Sequence, residues 1–408
     1  LIDSILLGGN GLIDGLGFMS AKEAAAELNV SVATLYAYVS RGVVHSEAKP
    51  GSRSRRYRAA EIRALADKNR IAKHVDASNI LNFGAPLLDS EITYTDGKTL
   101  FFRGRDSSLL ATTSSGLESV ASLIWNCGAD DYFLDAPPEI PDDFAPIQLL
   151  SLSGRPLVIC QSLLPLIGEK DLSAYDRSRE GAARTGVRVL RLMTALVTGT
   201  QPAVKASHET LSEAWNVGKH ASLIRSALIL AADHELNAST FTVRVAASAG
   251  APLYHAAAAG LATLQGARHG GEIERTFRLL QEIQGSENPA EVVTATMRRG
   301  DTIPGFGHPL YLQGDPRAKT LLTLMEKEFN TIESENIHRN VAIIQSIAGK
   351  PLNFDGALAI LSLHLGLSAH NGLSILAIGR VVGWIGHAIE QYLDNRLIRP
   401  RARYVGLQ

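Results

Sequence analysis

Residues 305–317 read GFGHPLYLQGDPR. Gly305 and Gly307 stand on either side of Phe306, and His308 follows directly. Glycine lets a backbone approach a ligand closely and leaves the adjacent imidazole uncrowded. Asp315-Pro316-Arg317 then opens a helical pattern over 315–331. Upstream lie two more histidine motifs, Arg268-His269-Gly270-Gly271 and, at 233–240, DHELNAST with His234. A lone histidine is usually structural, but the glycines beside His269 and His308 favour exposed, working rings. Downstream, Asn353-Phe354-Asp355-Gly356 places a carboxylate at the start of an apolar helix. It is either an N-cap aspartate or a working acid or base. Arg380 lies inside the apolar run GRVVGWIGH, residues 379–387. A buried cation costs free energy unless an anion pairs with it. Arg380 therefore meets either a bound carboxylate or an internal salt bridge. Arg399, Arg401 and Arg403 add a basic C-terminal run that also reads as an ordinary tail.

Around these motifs the pattern is helical over 116–126, 182–199, 207–232, 240–266, 274–284, 315–331, 333–348, 353–366 and 371–395. Ala-rich stretches such as VAASAGAPLYHAAAAGLA, 245–262, suit closely packed buried helices. Segment 89–105, DSEITYTDGKTLFFRGR, alternates as a β-hairpin turning at Asp96-Gly97. Segment 136–157, rich in Pro and Asp, reads as a loop. No βαβ alternation, GxGxxG or GxxxxGK[ST] motif occurs, which argues against Rossmann and P-loop enzymes. The predicted fold is mainly α.

The 408 residues suffice for two or three domains. No stretch reaches the roughly 18 uninterrupted apolar residues of a membrane span. The two cysteines, Cys127 and Cys160, form no CxxC or Cys/His cluster, so no thiolate metal site is expected. They point to a reducing compartment, the cytoplasm. Residues 1–18, Gly-rich and without a basic start, read as a non-native or upstream extension, with Met19 as the natural beginning.

Residues 19–75 carry eleven Lys or Arg against five Asp or Glu, whereas the whole chain is near neutral at −1. Ser20 and Glu23 form a capping box. Ala24, Ala25 and Leu28 give that helix an apolar face. Ser31 caps a second helix bearing Val32, Leu35, Tyr36 and Val39 at helical spacing, and Gly42 ends it. Val43 and Val44 begin a strand, GSRSRRYR at 51–58 is a basic loop, and Ala59 to Arg70 form a third helix with Ile62 and Leu65 inward.

The stretches AKEAAAELNVSVATLYAYVSRG and SRSRRYRAAEI make 19–75 resemble MerR-like and excisionase-like winged helix–turn–helix domains. The resemblance implies a recognition helix at 31–41 with Ser31, Ala33, Thr34 and Tyr38 near bases, and Arg53, Arg55, Arg56 and Arg58 at phosphates. Such folds also serve protein contacts.

From about 89 to 404, DHELNAST, HGG, GFGH, DPRA, FDG, GRVVGWIGH and RPRARYVG occur in the order and spacing of citrate synthase, which the chain resembles. This implies a two-domain helical fold, with a large domain from 76–271 and 357–408 and a small domain at 272–356. It implies condensation of acetyl-CoA or another short acyl-CoA with oxaloacetate, without metal or redox cofactor. In that scheme Asp355 is the base, His269 the donor to the thioester oxygen, and His308 the acid at the ketone. His234, Arg317 and Arg380 hold oxaloacetate carboxylates, and Arg399 comes from the second subunit of a homodimer. Two departures stand out. Glu272-Ile273-Glu274 replace the usual Ala-Asn-Glu, and Gly356-Ala357-Leu358-Ala359 replace Phe-Tyr-Ser-Gly. The second reshapes the acyl side and admits propionyl-CoA, hence 2-methylcitrate, as an alternative. A DNA-binding, metabolite-sensing regulator is the other alternative.

Overall fold

The computed structural model describes residues 18–28, 30–48, 54–59, 61, 62, 65, 88–140, 154–402 and 404–406. Backbone contacts divide the chain into two units, 1–89 and 90–408. The expectations for residues 1–17, Asn29, Arg53, Arg63, 66–87, 141–153 and Arg403 fall outside the described residues.

In the first unit β1 (Phe18–Ser20) leads into α1 (Ala21–Glu27) and α2 (Val32–Ser40), followed by β2 (Ser46–Ala48) and β3 (Arg55–Arg58). The strands pair antiparallel in the order β1-β3-β2. Ser20 and Glu23 form the expected capping box, and Ser31 caps α2. Ahead of the first helix, Met19 pairs with Tyr57 and Phe18 with Arg58. The second strand begins at Ser46 rather than at Val43. Ala59, Glu61, Ile62 and Leu65 are helical. Leu35, Tyr57 and Ile62 are fully buried and form a small core with Ala24, Ala25, Leu28 and Val44.

The second unit starts with a small antiparallel sheet of β4 (Thr93–Thr95), β5 (Leu100–Phe102) and β6 (Arg105–Asp106). Asp96 Oδ1 accepts from Lys98 N and Thr99 N, and Gly97 has φ +83°, so the Asp-Gly turn forms where the sequence places it. Helices then follow: α3 (Ser107–Thr113), α4 (Leu117–Trp125), α5 (Pro156–Gly168), α6 (Arg179–Thr198), α7 (Ser207–Ala214), α8 (Ala221–Ala231), α9 (Ala238–Ser248) and α10 (Leu253–Leu264). They continue as α11 (Gly271–Gln284), α12 (Pro289–Arg298), α13 (Pro316–Glu328), α14 (Ile332–Ala348), α15 (Phe354–His364) and α16 (Ala369–Asp394).

The helical class is as expected, but several boundaries are not. Three helices, α3, α5 and α12, were not expected, and α5 starts at Pro156 inside the stretch read as a loop. α5 and α12 each carry proline in their first turn, where its missing N–H costs nothing. The span 207–232 is broken where Asn216 adopts φ +56°, and 240–266 is broken at Gly250, φ +84°, before Pro252. A left-handed residue ends each helix, and after Gly250 Pro252 begins the next.

The centre of this unit is α16, which packs against α4, α6, α8, α9, α10, α11 and α15. It is long and apolar enough to cross a membrane, yet 94% of its apolar window is buried inside the protein, as in a core helix. Its glycines permit that crowding. A Cβ on Gly379 would collide with the Leu228 carbonyl and Ala231, and one on Gly386 with Ile124. Trp125, fully buried, donates from Nε1 to the Val382 carbonyl at 2.8 Å.

Candidate active site

The turn between α8 and α9 carries His234. Two contacts from α16 hold it: Gly383 N donates to Ala232 O and Arg380 Nε to Ala231 O, each at 2.9 Å. A Cβ at position 383 would collide with Asp233 and the Ala232 carbonyl. Asp233 is fully buried, accepts from Thr93 Oγ1 at 2.5 Å and lies 3.3 Å from His387 Nε2. Glu235 takes φ +52°, and Asn237 caps α9 by accepting from Ser239 N and Thr240 N. The turn therefore presents His234, 8% exposed, with Nε2 3.0 Å from the Tyr311 hydroxyl.

His269 sits in the tight turn between α10 and α11. Gly270 and Gly271 donate back to Leu264 O and Gly266 O, and a Cβ on Gly270 would strike Leu264 O and Leu373. His269 Nε2 lies 2.8 Å from Ser239 Oγ, which donates to Asn237 Oδ1 at 2.8 Å and accepts from Trp384 Nε1 at 3.3 Å.

His308 follows two left-handed glycines, Gly305 at φ +81° and Gly307 at φ +85°. Gly307 N donates to Pro351 O at 2.7 Å and Asn353 N to Gly305 O at 2.9 Å. Asn353 Nδ2 donates to Gly307 O at 3.1 Å. Leu310 N donates to His308 Nδ1 at 3.2 Å, so the neutral ring carries its proton on Nε2.

Asn353, not Asp355, is the N-cap of α15: its Oδ1 accepts from Gly356 N at 3.0 Å. Among the described residues no hydrogen bond or ion pair holds the half-buried Asp355 carboxylate. Burial raises it to about 7, Glu272 and Asp315 add to the rise, and Arg317 and Arg380 oppose it.

Two buried guanidiniums behave differently. Arg317 grips Asp315 through Nε at 3.0 Å and Nη2 at 2.7 Å and lies 4.7 Å over the Phe354 ring. Arg380, 2% exposed, has no carboxylate within ion-pair distance among the described residues. The internal salt bridge left open by the sequence is therefore not what Arg380 makes. Burial pushes its guanidinium down to about 10.

Burial also lowers His269 and His308 to about 4, with Arg380 and Arg317 adding to the respective shifts. His234 falls well below its ordinary value, first through burial and then through Arg317, His308, Arg380 and His269. The structure thus brings together His234, His269, His308, Arg317, Asp355 and Arg380. Arg399 is exposed in the irregular segment after α16 and touches none of them among the described residues. Sequence reasoning missed Tyr311, Ser239 and Asn353. Tyr311, three residues past His308 in the same motif, was the most findable.

Residues 171–401 match the family model for the citrate synthase C-terminal domain. The chain belongs to the citrate synthase family. It is 33% identical over 289 residues to citrate synthase 2 of Bacillus subtilis, covering 66% of this chain and 77% of that one. It is 31% identical over 363 residues to the Haloferax volcanii citrate synthase, covering 79% and 94%. It is also 31% identical to the Shewanella oneidensis 2-methylcitrate synthase over 192 residues, 46% of this chain and 51% of that one. Among solved structures, a ternary complex of the Thermoplasma acidophilum citrate synthase with carboxymethyl coenzyme A and oxaloacetate shares the fold. Its TM-score is 0.68 at 23% identity, over 81% of this chain and 96% of that one. The Thermotoga maritima citrate synthase gives 0.61 at 27% identity, over 79% and 94%. The protein is an enzyme of the citrate synthase type.

Residues 18–70 match a helix–turn–helix family model. In this unit Ser31 Oγ accepts from Thr34 N and contacts Thr34 Oγ1. Tyr38 packs against the core, whereas Tyr36, expected inward, is 54% exposed. Leu35 and Tyr38 lie three apart and share the inner face, which turns Tyr36 outward. On β3, Arg55 donates to Ser46 Oγ, Arg56 and Arg58 pair with Glu47, and Arg56 lies 3.9 Å over the Phe18 ring.

Proposed function

We propose that the enzyme condenses acetyl-CoA with oxaloacetate to give citrate and CoA. The observation that carries this reading is the contrast between Arg380 and Asp355. Among the described residues, one is a buried cation without a carboxylate in ion-pair distance, and the other a carboxylate without a hydrogen bond, raised to about 7. Arg380, Arg317 and His234 hold the two carboxylates of oxaloacetate, since planar guanidiniums suit carboxylate oxygens. Asp355 removes a proton from the acyl α-carbon. A base titrating near neutrality suits that task and contributes about 10²–10⁴-fold. The neutral His269 imidazole donates a hydrogen bond to the thioester oxygen and stabilises the enol. The enol carbon then attacks the oxaloacetate ketone carbon while His308 Nε2–H protonates the ketone oxygen. Water hydrolyses the resulting citryl-CoA to citrate and CoA. Closure of residues 272–356 over the rest excludes water until the carbon–carbon bond exists. Arg399 enters from the second subunit of a homodimer. The two free cysteines, Cys127 and Cys160, suit the cytoplasm.

Small residues directly after Asp355, Gly356 and Ala357, support propionyl-CoA as an alternative partner, giving 2-methylcitrate. CoA release by the purified protein with oxaloacetate and each acyl-CoA decides between them. Oxaloacetate binding without turnover of any acyl-CoA overturns the synthase reading and leaves a metabolite-sensing regulator.

The helix–turn–helix unit supports DNA binding through Arg55, Arg58 and the exposed side of α2. Replacing Arg55 and Arg58 by Ala weakens binding to duplex DNA and flattens its salt dependence. Unchanged binding and slope remove the strand from the interface.

A further inference from the structure

Glu272 stands where the resemblance calls for a small residue, directly after the His269 turn. Its Oε1 accepts from Gly305 N at 2.9 Å. Gly305 in turn gives its carbonyl to Asn353 N at 2.9 Å, and Asn353 caps the helix that carries Asp355. Gly305 and Gly356 approach so closely that a Cβ on Gly305 would lie 3.1 Å from Gly356 Cα. One carboxylate therefore begins a bonded path from the His269 turn, through the His308 loop, to Asp355.

We propose that Glu272 is a positioning residue for the condensation, pinning the Gly305 turn with one oxygen and acting by its charge on the Asp355 carboxylate. The inference rests on the reading of Asp355 as the base. It explains why an acid replaces a small residue here. Asp355 is crowded by cations, with Arg317 on α13 and Arg380 on α16, and these alone would leave it a weak base. Glu272 on α11 and Asp315 before α13 oppose them. Burial raises Asp355 most, and Glu272 is the largest charge effect in the same direction.

The two functions separate by substitution. Glu272→Gln keeps an oxygen for Gly305 N and removes the charge, while Glu272→Ala removes both. A base raised by a nearby anion ionises at lower pH when that anion is neutralised. Glu272→Gln is therefore expected to move the acid limb of kcat/KM for acyl-CoA down by at least about half a pH unit. That is about threefold more activity, relative to the pH 8.5 plateau, on the acid side. Glu272→Ala shows the same displacement with a plateau lowered further, and Gln restores most of that loss. Both variants are first checked for the wild-type circular dichroism spectrum and dimer mass, and a misfolded Ala variant leaves the Gln profile to decide. An active Glu272→Gln enzyme with an unmoved acid limb overturns the charge effect. Equal plateaus for Gln and Ala overturn the pinning. Failure of the underlying reading looks different: Asp355→Asn then retains wild-type turnover whatever residue 272 is.

Discussion

The ring of His234 and the phenol of Tyr311 are joined by a 3.0 Å hydrogen bond between Nε2 and the hydroxyl, with both side chains buried. Tyr311 belongs to the loop that carries His308, and the His308 ring centroid lies 5.1 Å from that of His234 and 5.0 Å from that of Tyr311. One phenol thus locks two histidines that come from segments far apart in sequence. Tyr311→Phe leaves His234 Nε2 without its partner in a dry site, a penalty of about 1–3 kcal/mol. The expected result is an increase of about tenfold in KM for oxaloacetate with a smaller change in kcat. Steady-state kinetics at saturating acyl-CoA measures it, and an unchanged KM shows that the bond does not orient His234.

Arg380 is held in the fold at a cost. Its guanidinium is pushed down to about 10, so the charged form is disfavoured on folding. That penalty is present at neutral pH and fades above about pH 10. Arg380→Met is expected to leave the free protein as stable or more stable, by about 1–4 kcal/mol, because a buried unpaired charge is replaced by apolar volume. The same variant should lose the thermal stabilisation that oxaloacetate gives the wild type. Melting curves with and without the dicarboxylate test both halves, and a large drop in the melting temperature of the free variant contradicts the account.

Asp355 sets a second sign. Its carboxyl is raised to about 7, so the neutral form is favoured by the fold. The stability it confers is complete below its unfolded value near 4 and is lost as pH rises through 7. Asp355→Asn, permanently neutral, should melt higher than wild type at pH 8 and converge with it near pH 4. Its turnover should fall by about 10²–10⁴-fold while oxaloacetate still binds. Wild-type activity should rise with pH through about 7. His269 and His308, held at about 4, stay neutral throughout that rise.

Gly383 is where α16 meets the His234 turn, its N–H donating to Ala232 O at 2.9 Å. Gly383→Ala places a methyl group against Asp233 and that carbonyl, forcing apart two packed elements. Overpacking of this kind costs about 1–3 kcal/mol. A lowered melting temperature together with a raised KM for oxaloacetate is expected. A normal KM in a destabilised variant means that the turn does not transmit the strain to His234.

The helical class, the capped N-terminal helices, the Asp96-Gly97 turn and the site motifs were legible in the sequence because each depends on residues within a turn or two of one another. Helix ends were less legible. Asn216 and Gly250 interrupt apolar patterns whose periodicity continues across the break. Within the site, chemical type was readable but state was not. Asn353 fills the N-cap role that Asp355 could have had, and Arg380 makes no salt bridge among the described residues.

What the sequence alone determined is therefore the inventory: three histidines, two of them beside glycines, two arginines and an aspartate, and a separate basic helix–turn–helix unit. The tertiary structure decided which nitrogen of His308 holds the proton, that Tyr311 braces His234, and that Glu272 reaches the Gly305 turn. It also decided that burial raises the Asp355 carboxyl to about 7. The His308 tautomer follows from a contact two residues away, but the others are properties of separated segments meeting in a site of low polarity. Burial and charge sum over α11, α13, α15 and α16 together, and no local pattern in the chain encodes that sum.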